Sequence, residues 1–384
     1  MQLSFLEIPW KILVIDDSKL NRAIVKKTLG NLNIKIDEAK DGLEALEILE
    51  KKSYDLILVD IVMPRLDGFG FLSRFKGKES EGKDFTPVIL MTGSDDLNSK
   101  IKGLQIGADD FLLKPLNEKE LVARVISLLR LKSAHAELYQ KNQLIEQELE
   151  AAKQIQKYII PKDFSHISYP KISGTYLPIE DIGGDYFDTY QISDNKYGFL
   201  IADVTGHGIP AALVMSMSKM IFSIYAPRYE STREYLAAMN SQMRSLLMAG
   251  QYITGFYVIY DDEAKTITYT NAGHTKALYF RASTGKVLAL DTYGLFVGIS
   301  DEVEYEEKSI AVQPGDRLFL YTDGISEIKN EEREEFGVQR LAKFIKKNND
   351  CSGDAFCEDL LEDVESFVPL GERDDDVAFL SVEF

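Results

Sequence analysis

The sequence predicts an α/β unit built on a doubly wound parallel five-stranded sheet, joined by a coiled-coil helix to an α+β sandwich. Three observations carry this. Residues 11–131 alternate short apolar runs with amphipathic stretches, the pattern of a parallel sheet with helices on both faces. Residues 117–160 contain neither Gly nor Pro and repeat Leu131, Leu138, Ile145, Ala152 and Ile159 at seven-residue spacing. From about residue 172 strands come in blocks and helices in pairs.

In the first unit, strands are expected at 11–16, 34–38, 56–60, 88–92 and 111–114, with helices at 19–29, 42–49, 68–75, 98–106 and 118–131. Ligands of such sheets bind at the carboxyl ends of the strands. Asp16, Asp60, Thr92 and Lys114 all fall at such ends. The heptad seam predicts that the last helix continues as a connector able to dimerise in parallel. Its second stripe, Leu128, His135, Asn142 and Leu149, is patchy, so the coil is expected to be weak or switchable. Pro161 ends the helix. Beyond it, strands are expected at 172–176, 187–192, 197–203, 254–260, 267–271, 277–281, 317–321 and 377–382, and helices at 208–225, 233–248, 338–347 and 354–367. The expected domains are 1–131, a helical linker over 132–161, and 162–384.

A chain of 384 residues with 45% apolar content suits two cores and a connector. The net charge of −18 and the lack of any Lys/Arg run exclude nucleic acid or an anionic membrane as the main partner. Cys351 and Cys357 read as plain thiols of a cytoplasmic protein. No apolar run reaches the roughly 18 residues of a bilayer span, and residues 1–10 lack the pattern of a secretory signal.

Two sets of carboxylates carry chemistry. Adjacent Asp16 and Asp17 with Asp60 can hold one Mg²⁺, a hard ion that takes oxygen ligands. Asp60 could then attack a phosphoryl group whose charge is neutralised by the metal and the Lys114 ammonium, with Thr92 binding the new phosphate oxygens. With Val14-Ile15-Asp16-Asp17-Ser18, Val59-Asp60-Ile61-Val62-Met63-Pro64-Arg65-Leu66-Asp67-Gly68, Met91-Thr92-Gly93 and Lys114-Pro115, residues 11–131 resemble a CheY-like receiver domain of bacterial two-component systems. The resemblance implies that Asp60 is the phospho-acceptor, and that Asp17, Asp60 and the Val62 carbonyl bind Mg²⁺ with help from Asp16. It makes Thr92 and Lys114 the readers of the phosphoryl group and Phe111 the switch aromatic. It also implies a cis bond before Pro115.

The second set is Asp185, Asp203, Asp323 and Asp375, each at an expected strand end. Hydrolysis of a phosphate ester without a covalent intermediate calls for two metals on oxygen ligands, which lower the pKa of a shared water and hold the phosphate in line. Gly183-Gly184 and Gly206-His207-Gly208 permit close backbone approach. Gly183-Gly184-Asp185-Tyr186-Phe187-Asp188, Ala202-Asp203-Val204-Thr205-Gly206-His207-Gly208-Ile209-Pro210-Ala211-Ala212, Asn271-Ala272-Gly273-His274, the run from Gly315 to Gly324, and Asp375-Asp376-Val377-Ala378 together resemble the SpoIIE/RsbU-type branch of the metal-dependent PPM serine/threonine phosphatases. The resemblance implies an α-β-β-α sandwich, two Mn²⁺ or Mg²⁺ ions, and ligands Asp185, Asp203, Asp323, Asp375 and the Gly206 carbonyl. Ala378 departs from the usual Asp-Asp-x-Thr, and three consecutive aspartates leave open which of Asp374, Asp375 and Asp376 is the ligand. His207 and His274 are expected to shape turns, and His135 and His166 to face solvent. Met215, Met217 and Met220 fall at helical spacing and are expected in the core, the other reading being an adaptable docking surface.

The combined expectation is a response regulator. A sensor histidine kinase phosphorylates Asp60, and this controls a phosphatase acting on a phosphorylated anti-sigma-factor antagonist in a partner-switching pathway. A catalytically silent adaptor that binds a sigma factor or its regulator is the alternative. Such a chain should have lost metal carboxylates, and this one retains four. A DNA-binding output is excluded by the acidic C-terminal half, which has no recognition-helix pattern.

Overall fold

The computed structural model describes residues 9–77, 85–93, 97–161, 163–351, 353–369 and 373–384. Residues 1–8, most of the segment read for a secretory signal, lie outside them. The chain forms two compact units, Met1–Glu146 and Gln147–Phe384.

The first unit alternates β1 (Trp10–Ile15), α1 (Lys19–Leu29), β2 (Ile34–Ala39), α2 (Gly42–Leu49), β3 (Leu56–Asp60), α3 (Gly68–Lys76), β4 (Val88–Thr92), α4 (Leu97–Ile106), β5 (Asp110–Leu113) and α5 (Glu118–Ile159). All strand pairs are parallel, in the order β2-β1-β3-β4-β5. The two-residue period of the strands splits the core into two layers. Ile12, Val14, Leu56 and Leu58 join Val25, Leu29, Leu121 and Val125 on one face. Leu13, Ile15, Ile57 and Val59 join Ala45, Phe71 and Leu72 on the other. The first helices start at side-chain caps from Ser18, Asp41 and Asp67, which satisfy amide groups the helix leaves free. The sheet and its flanking helices are those expected, with boundaries shifted by a residue or two.

α5 runs unbroken for 42 residues, from the first unit into the second. The second unit contains β6 (Lys171–Leu177), β7 (Tyr186–Ser193), β8 (Lys196–Val204), α6 (Gly208–Tyr225), α7 (Thr232–Arg244), β9 (Ile253–Asp261), β10 (Thr266–Ala272), β11 (Ala277–Arg281), β12 (Lys286–Leu290), β13 (Lys308–Ala311), β14 (Arg317–Tyr321), α8 (Asp323–Ser326), α9 (Gly337–Lys347), α10 (Asp354–Phe367) and β15 (Val377–Glu383). Two antiparallel sheets, β13-β10-β9-β8-β7 and β12-β11-β14-β15-β6, pack face to face. Their shared core includes Phe199, Ile201, Phe256 and Val258 from one sheet and Tyr279, Leu318, Leu320 and Leu380 from the other. Val214, Met215, Phe222, Tyr235 and Leu236 of α6 and α7 extend this cluster. The outer face of the second sheet (Leu278, Phe280, Phe319, Tyr321) meets Leu341, Phe344, Phe356 and Leu360 of α9 and α10. The result is the expected α-β-β-α sandwich.

Several expectations change. β12 and β13 were not foreseen; both are edge strands with mostly exposed side chains and carry little hydrophobic signal. α7 stops at Arg244, short of residue 248. The stretch Gly208–Arg228 is nevertheless long and apolar enough to cross a membrane, by length and composition alone, and is partly buried inside the unit. Its methionines divide: Met215 is in the core, Met217 is half-buried and Met220 is exposed. His166 faces solvent, but His135 is half-buried against the Phe85 ring at 5.0 Å. Neither Cys351 nor Cys357 forms a disulfide among the described residues.

Candidate functional site

In the first unit the carboxyl ends of β1, β3 and β4 and the residue after β5 bring the first set together. Asp16, Asp17 and Asp60 each offer a carboxylate oxygen within 4.8 Å of the others; Asp16 and Asp60 are buried and Asp17 is exposed. Lys114 Nζ lies 2.8 Å from Asp16 Oδ2 and 2.6 Å from Asp60 Oδ2. Burial raises the Asp60 carboxyl above its ordinary range, and the hydrogen bond and charge of Lys114 oppose this. Asp16 is oriented by the Ser18 amide at 2.8 Å and the Asn21 side chain at 3.1–3.2 Å. Three hard oxygen donors with one exposed edge suit a divalent cation such as Mg²⁺.

Thr92 is buried at the end of β4, and its carbonyl accepts the Lys114 N–H at 2.7 Å. The Lys114–Pro115 bond is cis, as expected. Val62 is exposed, and its N–H reaches Asp60 Oδ1 at 3.4 Å. Phe111 is half-buried between the Lys100 and Arg124 cations, 4.7 and 5.5 Å from its ring centre. Sequence reading passed over the Arg65–Asp41 ion pair, which holds the loop after Asp60 with Arg65 at φ +66°.

In the second unit Asp185 lies just before β7, Asp203 near the end of β8, Asp323 just after β14 and Asp375 just before β15. Their carboxyl groups are electrostatically linked. Burial, then the Asp203 charge, pushes Asp185 well above the usual carboxylate range. Burial and then Asp323 push Asp203 up to about 7. Asp323 is raised by burial and then by Glu327. Asp375 is raised by burial, opposed by the Asp376 N–H and reinforced by Asp323. None of the four forms an ion pair with Lys or Arg among the described residues. Crowded carboxylates without a counter-charge are costly, and a bound cation relieves the cost. The donor set therefore fits hard divalent ions. Among the described residues, however, no three carboxylates of this unit approach as closely as Asp16, Asp17 and Asp60 do.

The three consecutive aspartates differ in their surroundings. Asp376 is buried and its oxygens accept backbone N–H groups from Ile179 (2.8 Å), Gly184 (2.7 Å) and Asp185 (3.4 Å). Asp374 and Asp375 are exposed, and the Asp323 charge raises the Asp375 carboxyl. Thr322, buried nearby, donates its hydroxyl to the Ala378 carbonyl at 3.3 Å and receives the Ala378 N–H at 3.0 Å. Gly206 (φ +90°) and Gly208 (φ +72°) form the turn from β8 into α6, where a side chain would be strained. The Val204 carbonyl packs on the Gly183–Asp185 loop, where a Cβ on Gly184 would lie 2.9 Å from it. Sequence reading named only the Gly206 carbonyl.

Three further motif residues have distinct surroundings. Asp188, in the same motif as Asp185, is buried in an ion pair with Lys219; burial lifts its pKa to about 6 against the pull of that lysine. His274 Nε2 donates to the Tyr321 carbonyl at 3.1 Å, which leaves Nδ1 to accept from the Thr254 hydroxyl at 2.7 Å. Burial lowers its pKa to about 4, so it is neutral. His207 is exposed beside Glu180 at 3.1 Å. A groove of about 790 Å³, lined by Leu149, Ile182, His207 and Ile209 among others, adjoins this turn.

Comparison with known proteins agrees with this geometry. Residues 193–384 match the family model for stage II sporulation protein E (SpoIIE), and residues 12–126 match that for the response regulator receiver domain. The fold of the SiaA-PP2C domain of Pseudomonas aeruginosa is similar (TM-score 0.58, 21% identity, 64% of this chain and 98% of that one). Among curated proteins, "Probable transcriptional regulator ycf27" of Porphyridium aerugineum is 41% identical over 120 residues, 31% of this chain and 48% of that protein. The transcriptional activator protein IrlR of Burkholderia pseudomallei (strain 1026b) is 38% identical over 120 residues, 31% of this chain and 50% of that protein. The chain thus spans about half the length of these curated relatives, and the shared half is the first unit. Asp185 lies ahead of the SpoIIE match.

Proposed function

Because the chain belongs to the SpoIIE family and carries a receiver domain ahead of the family domain, we propose that it is a response regulator in which phosphorylation of Asp60 controls a metal-dependent protein serine/threonine phosphatase. The observation that carries the output half is that burial raises the carboxyl groups of Asp185, Asp203, Asp323 and Asp375, three of them also through the charge of another of the four, with no cationic partner among the described residues. These four, with the Gly206 carbonyl, would hold two Mn²⁺ or Mg²⁺ ions; ions bound there would lower the pKa of a water and present the phosphate for in-line attack. Asp376 serves the site by spending its carboxylate on the backbone of the Asp185 loop, and Thr322 by tying the turn after β14 to Ala378 of β15.

In the receiver, Asp60 is the phospho-acceptor. Its anion attacks the phosphoryl group of a histidine kinase's phosphohistidine, forming the P–O bond as the P–N bond breaks, and the leaving imidazole nitrogen takes a proton from water. Lys114 and Thr92 hold the phosphoryl oxygens, Asp16, Asp17, Asp60 and the Val62 carbonyl serve Mg²⁺, and Phe111 responds to the change. The substrate of the output domain is a phosphoserine or phosphothreonine on an anti-sigma-factor antagonist, and the setting is cytoplasmic. Two copies pair through α5. Leu131, Leu138 and Ile145 are about half exposed, and residues 140–148 are exposed on every side, which supports this pairing.

One observation favours the second reading, a catalytically silent adaptor: the carboxylates of the second unit are less closely gathered than those of the receiver. Manganese separates the two. The phosphatase should bind Mn²⁺ in the second unit and release phosphate from a phosphorylated antagonist. Loss of neither property in Asp185→Asn or Asp323→Asn would refute the assignment.

A further inference from the structure

We propose that Gln156 is a positioning residue for Asp185, through which the end of α5 sets the geometry of the acidic site. This rests on reading that site as a metal-dependent phosphatase centre. Gln156 lies on the last turn of α5 and is 5% exposed. Its Nε2 donates to the Gly183 carbonyl at 2.7 Å, and its Oε1 accepts the Gly183 N–H at 3.2 Å. One side-chain amide thus closes a ring with both polar groups of a single residue. The Tyr176 hydroxyl also reaches Oε1, at 3.5 Å. One turn earlier on the same helix face, Lys153 pairs with Asp181 at 2.9 Å.

The other side of this loop is held by Asp376 through Ile179, Gly184 and Asp185. Gly183 has no room to adjust: a Cβ there would lie 2.0 Å from Asp376 Oδ2 and 2.5 Å from the Tyr176 hydroxyl. The loop is therefore fixed between Asp376, just ahead of β15, and the end of α5, all within the second unit. Asp185 follows two residues after Gly183. Packing alone would be served by an apolar side chain. The amide adds a directional requirement, because both bonds form at only one rotation of α5 and leaving the Gly183 groups unpaired is costly. A turn or slide of this end of the helix is passed to Gly183 and on to Asp185.

The test uses the full chain, metal-free, as wild type and as Gln156→Met, Gln156→Glu and Asp185→Asn. Met is similar in length and forms helix, but cannot pair with Gly183. Glu keeps the acceptor for the Gly183 N–H and loses the donor. Mn²⁺ binding by calorimetry, thermal melts, and phosphatase rates across Mn²⁺ concentration are measured. The expected result is Mn²⁺ affinity in Gln156→Met about 10- to 100-fold weaker, the usual cost of losing a partner that orients a ligand. Gln156→Glu should lie between it and wild type, melts should remain cooperative, and rate should return at high Mn²⁺. A purely structural residue would move the melt and leave the affinity of the folded protein unchanged. If Gln156→Met loses its cooperative melt, Gln156→Glu carries the test by the same criteria. Unchanged Mn²⁺ affinity in folded Gln156 variants, beside a weakened Asp185→Asn, overturns this proposal alone. A wild type that binds no Mn²⁺ in the second unit overturns the phosphatase reading and this proposal with it.

Discussion

At the scale of residues, the two acidic sites differ in who neutralises them. Lys114 bridges Asp16 and Asp60, so the receiver already holds one positive charge. Asp60→Asn removes the nucleophile and should abolish any change in phosphatase rate caused by acetyl phosphate, leaving the unstimulated rate intact. In the second unit, Asp323→Asn should cost at least the roughly 10- to 100-fold that loss of a supporting group costs a metal site, read as initial rate at fixed Mn²⁺. His274 gives a pH prediction. Its pKa falls from an ordinary value near 6.5 to about 4 on folding. The unfolded chain takes up the proton first, so this contribution is complete above about pH 6.5 and is lost between there and pH 4, by about 3 kcal/mol at most. His274→Gln should flatten that part of the stability curve, as seen by urea unfolding at pH 7 and pH 5.

At the scale of elements, the first unit was legible because buried parallel strands are short apolar runs and the site residues sit at their ends. Asp16, Asp60, Thr92 and Lys114 could be placed from periodicity alone. The second unit was legible where strands are buried on both faces, as in β9 and β14, and illegible at β12 and β13, whose side chains face solvent. No local pattern marks Asp376 as a backbone acceptor or Gln156 as a partner of Gly183, since each contact joins residues far apart in the chain. Arg317 shows the same limit. It reads as one residue of a strand motif, yet it is fully buried against the Phe356 ring and binds Ser381, Asn349 and Cys351. Arg317→Leu strands those acceptors and should destabilise the second unit by about 3 kcal/mol, measured by denaturant unfolding. On α5, Leu138→Glu with Ile145→Glu should convert a dimer to monomer by light scattering without changing either unit's melt.

At the scale of the whole molecule, a phosphatase assay with and without a beryllofluoride mimic, run beside a mass measurement, asks whether Asp60 governs the rate and whether the assembly changes with it. The expected outcome is a shift in rate that Asp60→Asn lacks. The unbroken α5 has a further consequence. An α-helix turns about 100° per residue, so a helix that transmitted a signal along its 42 residues would do so with a defined angular phase. One residue inserted within 140–148 turns everything downstream, Gln156 included, by about 100° relative to the receiver end of the helix. Seven inserted residues bring it back to within about 20°. If phase is the signal, activity across a ladder of insertions should oscillate with the helical repeat instead of declining steadily with length.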